Sequence, residues 1–523
     1  MVALFVFKIF YPQPFDDLRN WFRNRNLNQR LNPVGEQTMS IKEKLSEIVG
    51  SGNFSDDPNV LSKYAADSSL TPAGAPSYVV KPKDAQDVAK VIQLANGSTI
   101  PVVPVSSDVH FNGAAIPKQG GIVLDLTRMK KVLEIDIENR RVRIEAGVKW
   151  QQLTDELAKQ GMRMIMPLLP PAGRSVLTDY LEREVPTNVV YDYGEPMQSM
   201  EIVWPTGEIF RMGSASVNGY PDSASKGANP SGPGIDFYRF VQGAQGTMGV
   251  VTWANLKIES IPKIDKVFLA PVDDLAYAQD FLYRVLPRRI GQECLLLNNT
   301  DLAAIVAEKW PGDFANLRTT LPPWTLVLVV SGLLRRPEEK IAYEENFLNQ
   351  VIRNEFRKME LQDNLPGVPG IGRKLLSLLR KPWPAEKTYW KNIWKGGSQS
   401  LFFIARPNAT PVYVDMMEKI APQYGYPLND IGMYIQPIEH NRACHMEFTF
   451  FYDPANAAEK ARISDLYRNA ATSLLNQGAF FSRPYGELAA MMYERASSYT
   501  MALKRLKKVF DPKNIMNPGN LCF

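Results

Sequence analysis

The chain has 523 residues, 45% of them hydrophobic and 22% charged, which suits two domains or one large domain carrying an inserted second one. Its net charge of +5, from 60 basic and 55 acidic residues, is weak over this length and gathers in no long basic run, so nothing points to a nucleic-acid partner. Cys294, Cys444 and Cys522 show no CxxC spacing, which argues against an iron–sulfur cluster or a disulfide framework and fits reduced thiols in a cytoplasm. Residues 1–38 open with MVALFVFKIFYPQPF, broken by Lys8 and ended by Pro12 and Pro14, too short to span a bilayer and without a clear signal-peptide pattern. They read as an extension outside the fold, or as a loose membrane or partner-binding tag. SIKEKLSEIVG, after Met39, predicts a helix. SYVVKP predicts a short strand, and DAQDVAKVIQLANG a helix capped by Asp84 and ended at Gly97. IPVVPV and GIVLDLT are the next strands. KVLEIDIENRRVRIEAG predicts a hairpin joined at Glu138-Asn139, KWQQLTDELAKQG a helix closed by Gly161, and QSMEIVWPTGEIFRMG a second hairpin turned at Pro205-Thr206-Gly207. GTMGVVTWANLKIESIP is a glycine turn into a strand.

Beyond about Ile264 the character changes. Charged helical stretches such as KIAYEENFLNQVIRNEFRKMELQ alternate with strands such as WTLVLVVSGLL and CHMEFTFFYD. Residues 365–387, rich in Pro, Gly and basic groups, predict a linker around a short amphipathic helix. From Arg483 the tail reads as one helix followed by an extended Pro/Gly end. The expected division is residues 39–263, a second domain at 264–475, and a C-terminal segment at 476–523 that returns to the first. Strand–helix–strand units mixed with hairpins make an α+β fold, and no GxGxxG follows the first strand.

One loop stands out. PVSSDVHFNGAA at 104–115 joins two apolar strands and gathers two serines, an Asp, an Asn, a Gly and a lone His. Small residues let main-chain N–H groups converge on one centre, a concavity suited to phosphate.

These pieces, in this order, resemble the FAD-binding oxidoreductases of the vanillyl-alcohol oxidase and p-cresol methylhydroxylase family, the 4-phenol-oxidising branch most nearly. Four collinear motifs carry the resemblance: the loop with the strand after it through EAGV at 145–148, SVLTDYLEREV at 175–185 with YDYGEPMQSMEIV beyond it, GPGIDFYRFVQGAQGTMGVVTWANLKI, and DPKNIMNPG at 511–519. It covers residues 60–262 well, 395–523 moderately and 263–394 hardly at all. It implies a two-subdomain FAD-binding domain of the p-cresol methylhydroxylase type, with an inserted α/β substrate domain over the flavin. It implies Ser106, Ser107, Asp108, Val109 and His110 as diphosphate contacts, with Gly113 in the same loop. Gly173, Ser175, Thr178 and Asp179 would line a second side of the FAD, and Gly246, Gly249 and Val250 its ribityl and adenine side.

The chemistry expected of a flavin is hydride removal, with protein groups placing the donor carbon and handling charge. Glu182 falls where the family carries an acidic residue near the flavin. The other reading is a surface glutamate paired with Arg183 or Arg140. GAFFSRPYG matches the segment whose Tyr-Arg pair holds a phenolate, but here the pair is Ser482-Arg483, with Tyr485 two residues on. The second phenolate tyrosine falls at Phe111. Arg483 keeps a cation able to bind an oxyanion, or else forms a surface salt bridge. Strand alternation puts Cys444, Met446, Phe448 and Phe450 on one face and His445, Glu447 and Thr449 on the other. His445 is then a neighbour of substrate or flavin, or a structural histidine; three histidines in all are too few for a metal site, and none is expected. The histidine that tethers flavin in vanillyl-alcohol oxidase is replaced by Ser400, and His110 is one residue off the other attachment position, so FAD is expected to be non-covalent.

The expected activity is hydride removal from an aromatic (benzylic or allylic) alcohol or a phenol side chain. Two alternatives stand beside it. One is a 2-hydroxy-acid dehydrogenase of the D-lactate or glycolate type, with Arg483 on the carboxylate. The other is a flavoprotein subunit that passes electrons to a cytochrome or iron–sulfur partner. A homo-oligomer is compatible with either.

Overall fold

The structure is a computed structural model that describes residues 39–190, 195–217 and 229–523. The N-terminal extension, the YDYG stretch at 191–194 and residues 218–228 lie outside the described residues. The chain divides into two units, Met1–Lys44 and Leu45–Phe523. In the first, Ser40 and Glu43 form a capping box: the Ser40 N–H donates to Glu43 Oε2 at 2.7 Å and the Glu43 N–H to Ser40 Oγ at 3.3 Å.

In the second unit the chain builds three main sheets. Four strands line up as Phe54–Ser55, Tyr78–Val80, Ile122–Asp125 and Val102–Val105, the last three parallel. Helix Ala85–Ser98 makes the crossover, its first turn capped by Asp84, which accepts from the Asp87 N–H at 2.9 Å. The helix does not end at Gly97. Thr99 takes the left-handed position (φ 55°), and its N–H closes on the carbonyls of Ala95 and Asn96.

Both predicted hairpins lie in a five-stranded antiparallel sheet. Val132–Asp136 pairs with Arg141–Glu145, and Met197–Val203 with Ile209–Arg211, on either side of the strand Val250–Lys257. The third sheet has six antiparallel strands in the order Ile264–Val272, Trp324–Gly332, Glu293–Asn298, Ile431–Ile438, Ala443–Tyr452 and Gly397–Ala405. Side chains alternate across it. One face, with Leu296, Leu328, Cys444, Met446, Phe448 and Phe450, packs against helices Leu275–Val285, Pro337–Glu355, Thr410–Ile420 and Ala457–Asn476. The other, with Leu295, Val327 and Tyr434, packs against Asn299–Val306 and Ile371–Leu379.

The tail is two helices, Gly486–Arg495 and Ser497–Phe510, where the sequence suggests one; the break falls at Ala496, whose ψ of 47° is not helical. The extended end then joins the first sheet. The Val102 N–H donates to Ile515 O at 2.8 Å and the Asn517 N–H to Val102 O at 2.9 Å. Lys507, buried, holds Asp511 at 2.6 Å and the Met516 carbonyl at 3.1 Å. Among the described residues no helix is long and apolar enough to cross a membrane, and the three cysteines are unpaired.

Candidate active site

The loop at 104–115 leaves the strand Val102–Val105 at its carboxyl end. Its carbonyls are turned toward the protein: Arg174 Nη1 donates to Val109 O at 3.0 Å, and Ser68 Oγ to His110 O at 3.2 Å. Ser106 Oγ shares a hydrogen bond with Thr178 Oγ1. Among the described residues, no main-chain N–H at 107–111 donates to a main-chain carbonyl. Those donors are what a diphosphate requires. Two cavities meet at His110. One, of about 760 Å³, is largely apolar and brings together Ser106, Thr178, Glu182, Gly246, Gly249 and Val250. The other, of about 1650 Å³, takes in Ser107, Asp108, Val109, Gly173, Trp383 and Tyr389. Cavities on both sides of an N–H-rich loop fit an extended dinucleotide such as FAD. Burial, reinforced by Arg174, pushes the His110 imidazole down to about 4, so the ring is neutral at pH 7.

A third cavity, of about 880 Å³, shares Phe111 and Tyr389 with the second. Aromatic rings form much of its wall. Phe111 stacks on Tyr389 with centroids 5.4 Å apart, and His445 lies 5.5 Å from Tyr434 and 6.0 Å from Phe402. Its charged lining comes in pairs. Arg174 holds Asp179, which also accepts from Trp150 Nε1 at 2.6 Å, and reaches Glu182 at 2.7 Å. Lys391 is paired with Glu447 and donates to Ser400 Oγ at 3.4 Å. Arg483 Nη1 lies 2.7 Å from Glu184 Oε1, and its guanidinium carbon sits 4.1 Å above the Phe402 ring. Burial lifts the Glu182 carboxyl to about 7 despite Arg174. Burial also lowers His445, against the pull of Glu447. For Glu447 burial pushes the other way, but Lys391 and His445 hold it well below the usual carboxylate range.

The structure therefore brings Glu182, Arg483, His445 and Phe111 to one region. Glu182 pairs with neither Arg183 nor Arg140; its cation is Arg174. Several other expected residues have their side chains committed elsewhere. Ser175 Oγ donates to Ala146 O and caps the helix Val176–Leu181, and Asp179 is locked between Arg174 and Trp150. Gly113 is required because a Cβ there would meet Thr71 Oγ1 at 2.1 Å, and Gly246 because one would meet Pro104 Cγ at 2.7 Å; both serve close packing of the chain on itself. Asp108 points outward to Lys149 at 3.5 Å, so only its main chain can face a phosphate. Ser482 is not part of the cavity wall, and Tyr485 stands behind Phe402, 6.2 Å away, facing a neighbouring cavity. Arg174, Glu184, Lys391 and Tyr389 were not foreseen. Arg183 takes a left-handed φ of 60° between Glu182 and Glu184, which line different cavities.

Residues 76–177 match the family described as FAD binding domain, and residues 438–521 match FAD linked oxidases, C-terminal domain. The two stretches contain the loop and the His445 strand. The chain is an FAD-linked oxidoreductase, and it resembles the vanillyl-alcohol oxidase and p-cresol methylhydroxylase family. This FAD-linked oxidoreductase is 21% identical over 462 residues to the mitochondrial D-lactate dehydrogenase (cytochrome) of Arabidopsis thaliana, covering 85% of this chain and 73% of that one. It is 22% identical over 491 residues to the 4-cresol dehydrogenase (hydroxylating) flavoprotein subunit of Pseudomonas putida, covering 86% and 88%. Its fold is that of p-cresol methylhydroxylase solved with substrate bound, at a TM-score of 0.79 and 18% identity over 92% of this chain and 96% of that chain.

Proposed function

We propose that this FAD-dependent oxidoreductase removes a hydride from an aromatic, benzylic or allylic, alcohol or from the side chain of a phenol. The observation that carries the reading is the third cavity: its walls are aromatic, and each cation in its lining already has a carboxylate partner. FAD, when bound, supplies the hydride acceptor. The loop at 106–110 holds the diphosphate through its N–H groups, and the cavity of Gly246, Gly249 and Val250 takes the adenine side. The six-stranded layer, at residues 264–475, covers the substrate. Arg483, stiffened by Phe402 beneath it, orients the substrate oxygen. Glu182, held near neutrality in its titration, takes a proton or balances charge close to the reacting carbon. His445, neutral and anchored by Glu447 at 3.4 Å, packs against the aromatic substrate.

The names of relatives point to 2-hydroxy acids as well as to cresols. A 2-hydroxy acid brings a carboxylate that needs an unpaired cation, and the paired lining does not favour it. The name of the 4-cresol relative, a flavoprotein subunit, supports a partner protein as electron acceptor only as an alternative. The unpaired thiols support a reducing, cytoplasmic setting.

Anaerobic mixing with a panel of aromatic alcohols, alkylphenols and 2-hydroxy acids tests the reading. The first two classes should bleach the flavin absorbance. Bleaching by 2-hydroxy acids alone overturns the proposal. Admitting air then reads the acceptor: reoxidation within seconds marks an oxidase, and a persistent reduced flavin marks an enzyme that hands electrons to a partner.

A further inference from the structure

Glu184 has no role in the account so far. Its side chain is 27% exposed and lines the third cavity, whereas that of Arg483 is 4% exposed. Both side chains line that cavity, so a substrate there meets the carboxylate and the guanidinium together. Nη1 of Arg483 is 2.7 Å from Glu184 Oε1, an ion pair that leaves Nη1 without a well-aligned hydrogen-bond acceptor among the described residues. A donor and an acceptor thus wait side by side, carrying opposite charges. A hydroxyl group is both donor and acceptor and can satisfy the two at once; a phenolate or carboxylate only accepts, and would bring a second anion against Glu184.

We propose that the Arg483–Glu184 pair is a charge filter that admits the substrate as a neutral hydroxyl compound and rejects carboxylates and preformed phenolates. The inference rests on the aromatic-alcohol and phenol reading above. The substrate O–H donates to Glu184 and its oxygen accepts from Arg483 Nη1. The other cations of the lining are already paired. Arg174 is taken by Asp179 and Glu182, and Lys391 by Glu447. The filter also stands in for two tyrosine hydroxyls that the family resemblance implies: Phe111 has none, and Ser482 is not part of the cavity wall.

The test uses the flavin-loaded protein and 4-fluorophenol, which has no para carbon to oxidise. Fluorine NMR distinguishes its neutral form from its phenolate. Simple phenols ionise near pH 10, about as tyrosine does. The wild-type protein should bind the neutral form with an affinity that is flat between about pH 6 and 8, and benzoate should not compete. Glu184→Gln frees the cation: the bound ligand should become phenolate, its affinity should rise about tenfold per pH unit in that range, and benzoate should compete. Glu184→Asp keeps the charge and should behave as wild type, and the flavin absorbance of each variant reports its folding. Phenolate bound to the wild-type protein overturns the filter by itself, as does benzoate binding as tightly as phenol. So does Glu184→Gln binding the neutral form like wild type. If no phenol or aromatic alcohol binds while 2-hydroxy acids bleach the flavin, the substrate reading falls and the filter with it.

Discussion

Arg483 is the most consequential single residue under the proposed function. Arg483→Ala removes the oxygen ligand and leaves Glu184, half-buried in the cavity wall, without its cation, a loss of roughly several kcal/mol. Flavin reduction should slow by about two orders of magnitude or more, at about 1.4 kcal/mol per tenfold, with flavin content unchanged, because Arg483 lies outside the loop cradle. Stopped-flow reduction as fast as wild type would show that the substrate sits elsewhere. Glu182 makes a different prediction. Burial lifts its carboxyl to about 7, so the ionised form grows as pH rises toward that value. If the carboxylate is the active form, flavin reduction should climb about tenfold per pH unit below about 7 and level off above it. Glu182→Gln should slow reduction, abolish this limb and leave substrate affinity nearly unchanged. A limb that persists in the variant belongs to another group. At Ser400, where relatives tether flavin through histidine, acid precipitation should release yellow flavin into the supernatant. Colour retained in the washed pellet would implicate His110, and His110→Ala would then check it.

At the scale of elements, the strand Ala443–Tyr452 shows how alternation divides labour. Cys444, Met446, Phe448 and Phe450 anchor it in the core, while His445 and Glu447 face the cavity. A second junction joins the neighbouring strand Ile431–Ile438 to the helix Asn299–Val306. Asp301 is fully buried there, and neither carboxylate oxygen has a hydrogen-bond partner among the described residues. A Cβ on Gly432 would lie 2.0 Å from Asp301 Oδ1. Gly432→Ala should therefore destabilise the protein by about 1–3 kcal/mol, as overpacking does. Asp301→Ala should absorb most of that cost in a double-mutant cycle measured by denaturant unfolding. Strictly additive costs would mean that the carboxylate swings clear without strain.

For the molecule as a whole, buried carboxylates set how stability depends on pH. Burial raises Glu182 and Asp301 to about 7 and Glu293 to about 8, against values near 4 in an unfolded chain. Between about pH 4 and these values the native state holds protons that the unfolded chain has released. His110, His440 and His445, held neutral by burial, oppose this below about pH 6.5, so stability must fall as pH rises from there through the window. Glu447, held low, acts in the opposite sense, but its stabilisation is lost only as pH falls below about 4, outside the window. The thermal midpoint should be lower at about pH 8 than at about pH 6.5, and Asp301→Asn should flatten the slope by up to about 1.4 kcal/mol per pH unit. A midpoint that rises across this range would mean that these carboxylates are ionised in the folded protein.

Much of this molecule is legible in the sequence because it depends on short-range pattern. The two hairpins, the capped helix after Asp84 and the alternation along residues 443–450 follow from spacings of two and of three or four residues. The loop of small residues at 104–115 suggested an anion cradle for the same local reason, and four collinear motifs carried the family resemblance. The break at Ala496 and the helix end at Thr99 escaped because they depend on which carbonyls the surrounding structure leaves unfilled. The cavity proposed to take the substrate escaped more completely. Its pairs join the segment at 174–184 to Arg483, and Lys391 to a strand of the six-stranded sheet. Composition and periodicity determine which faces are buried, since burial depends on a residue's own chemistry. Which carboxylate neutralises which cation depends on the distance between them after folding, and only the tertiary structure decides that.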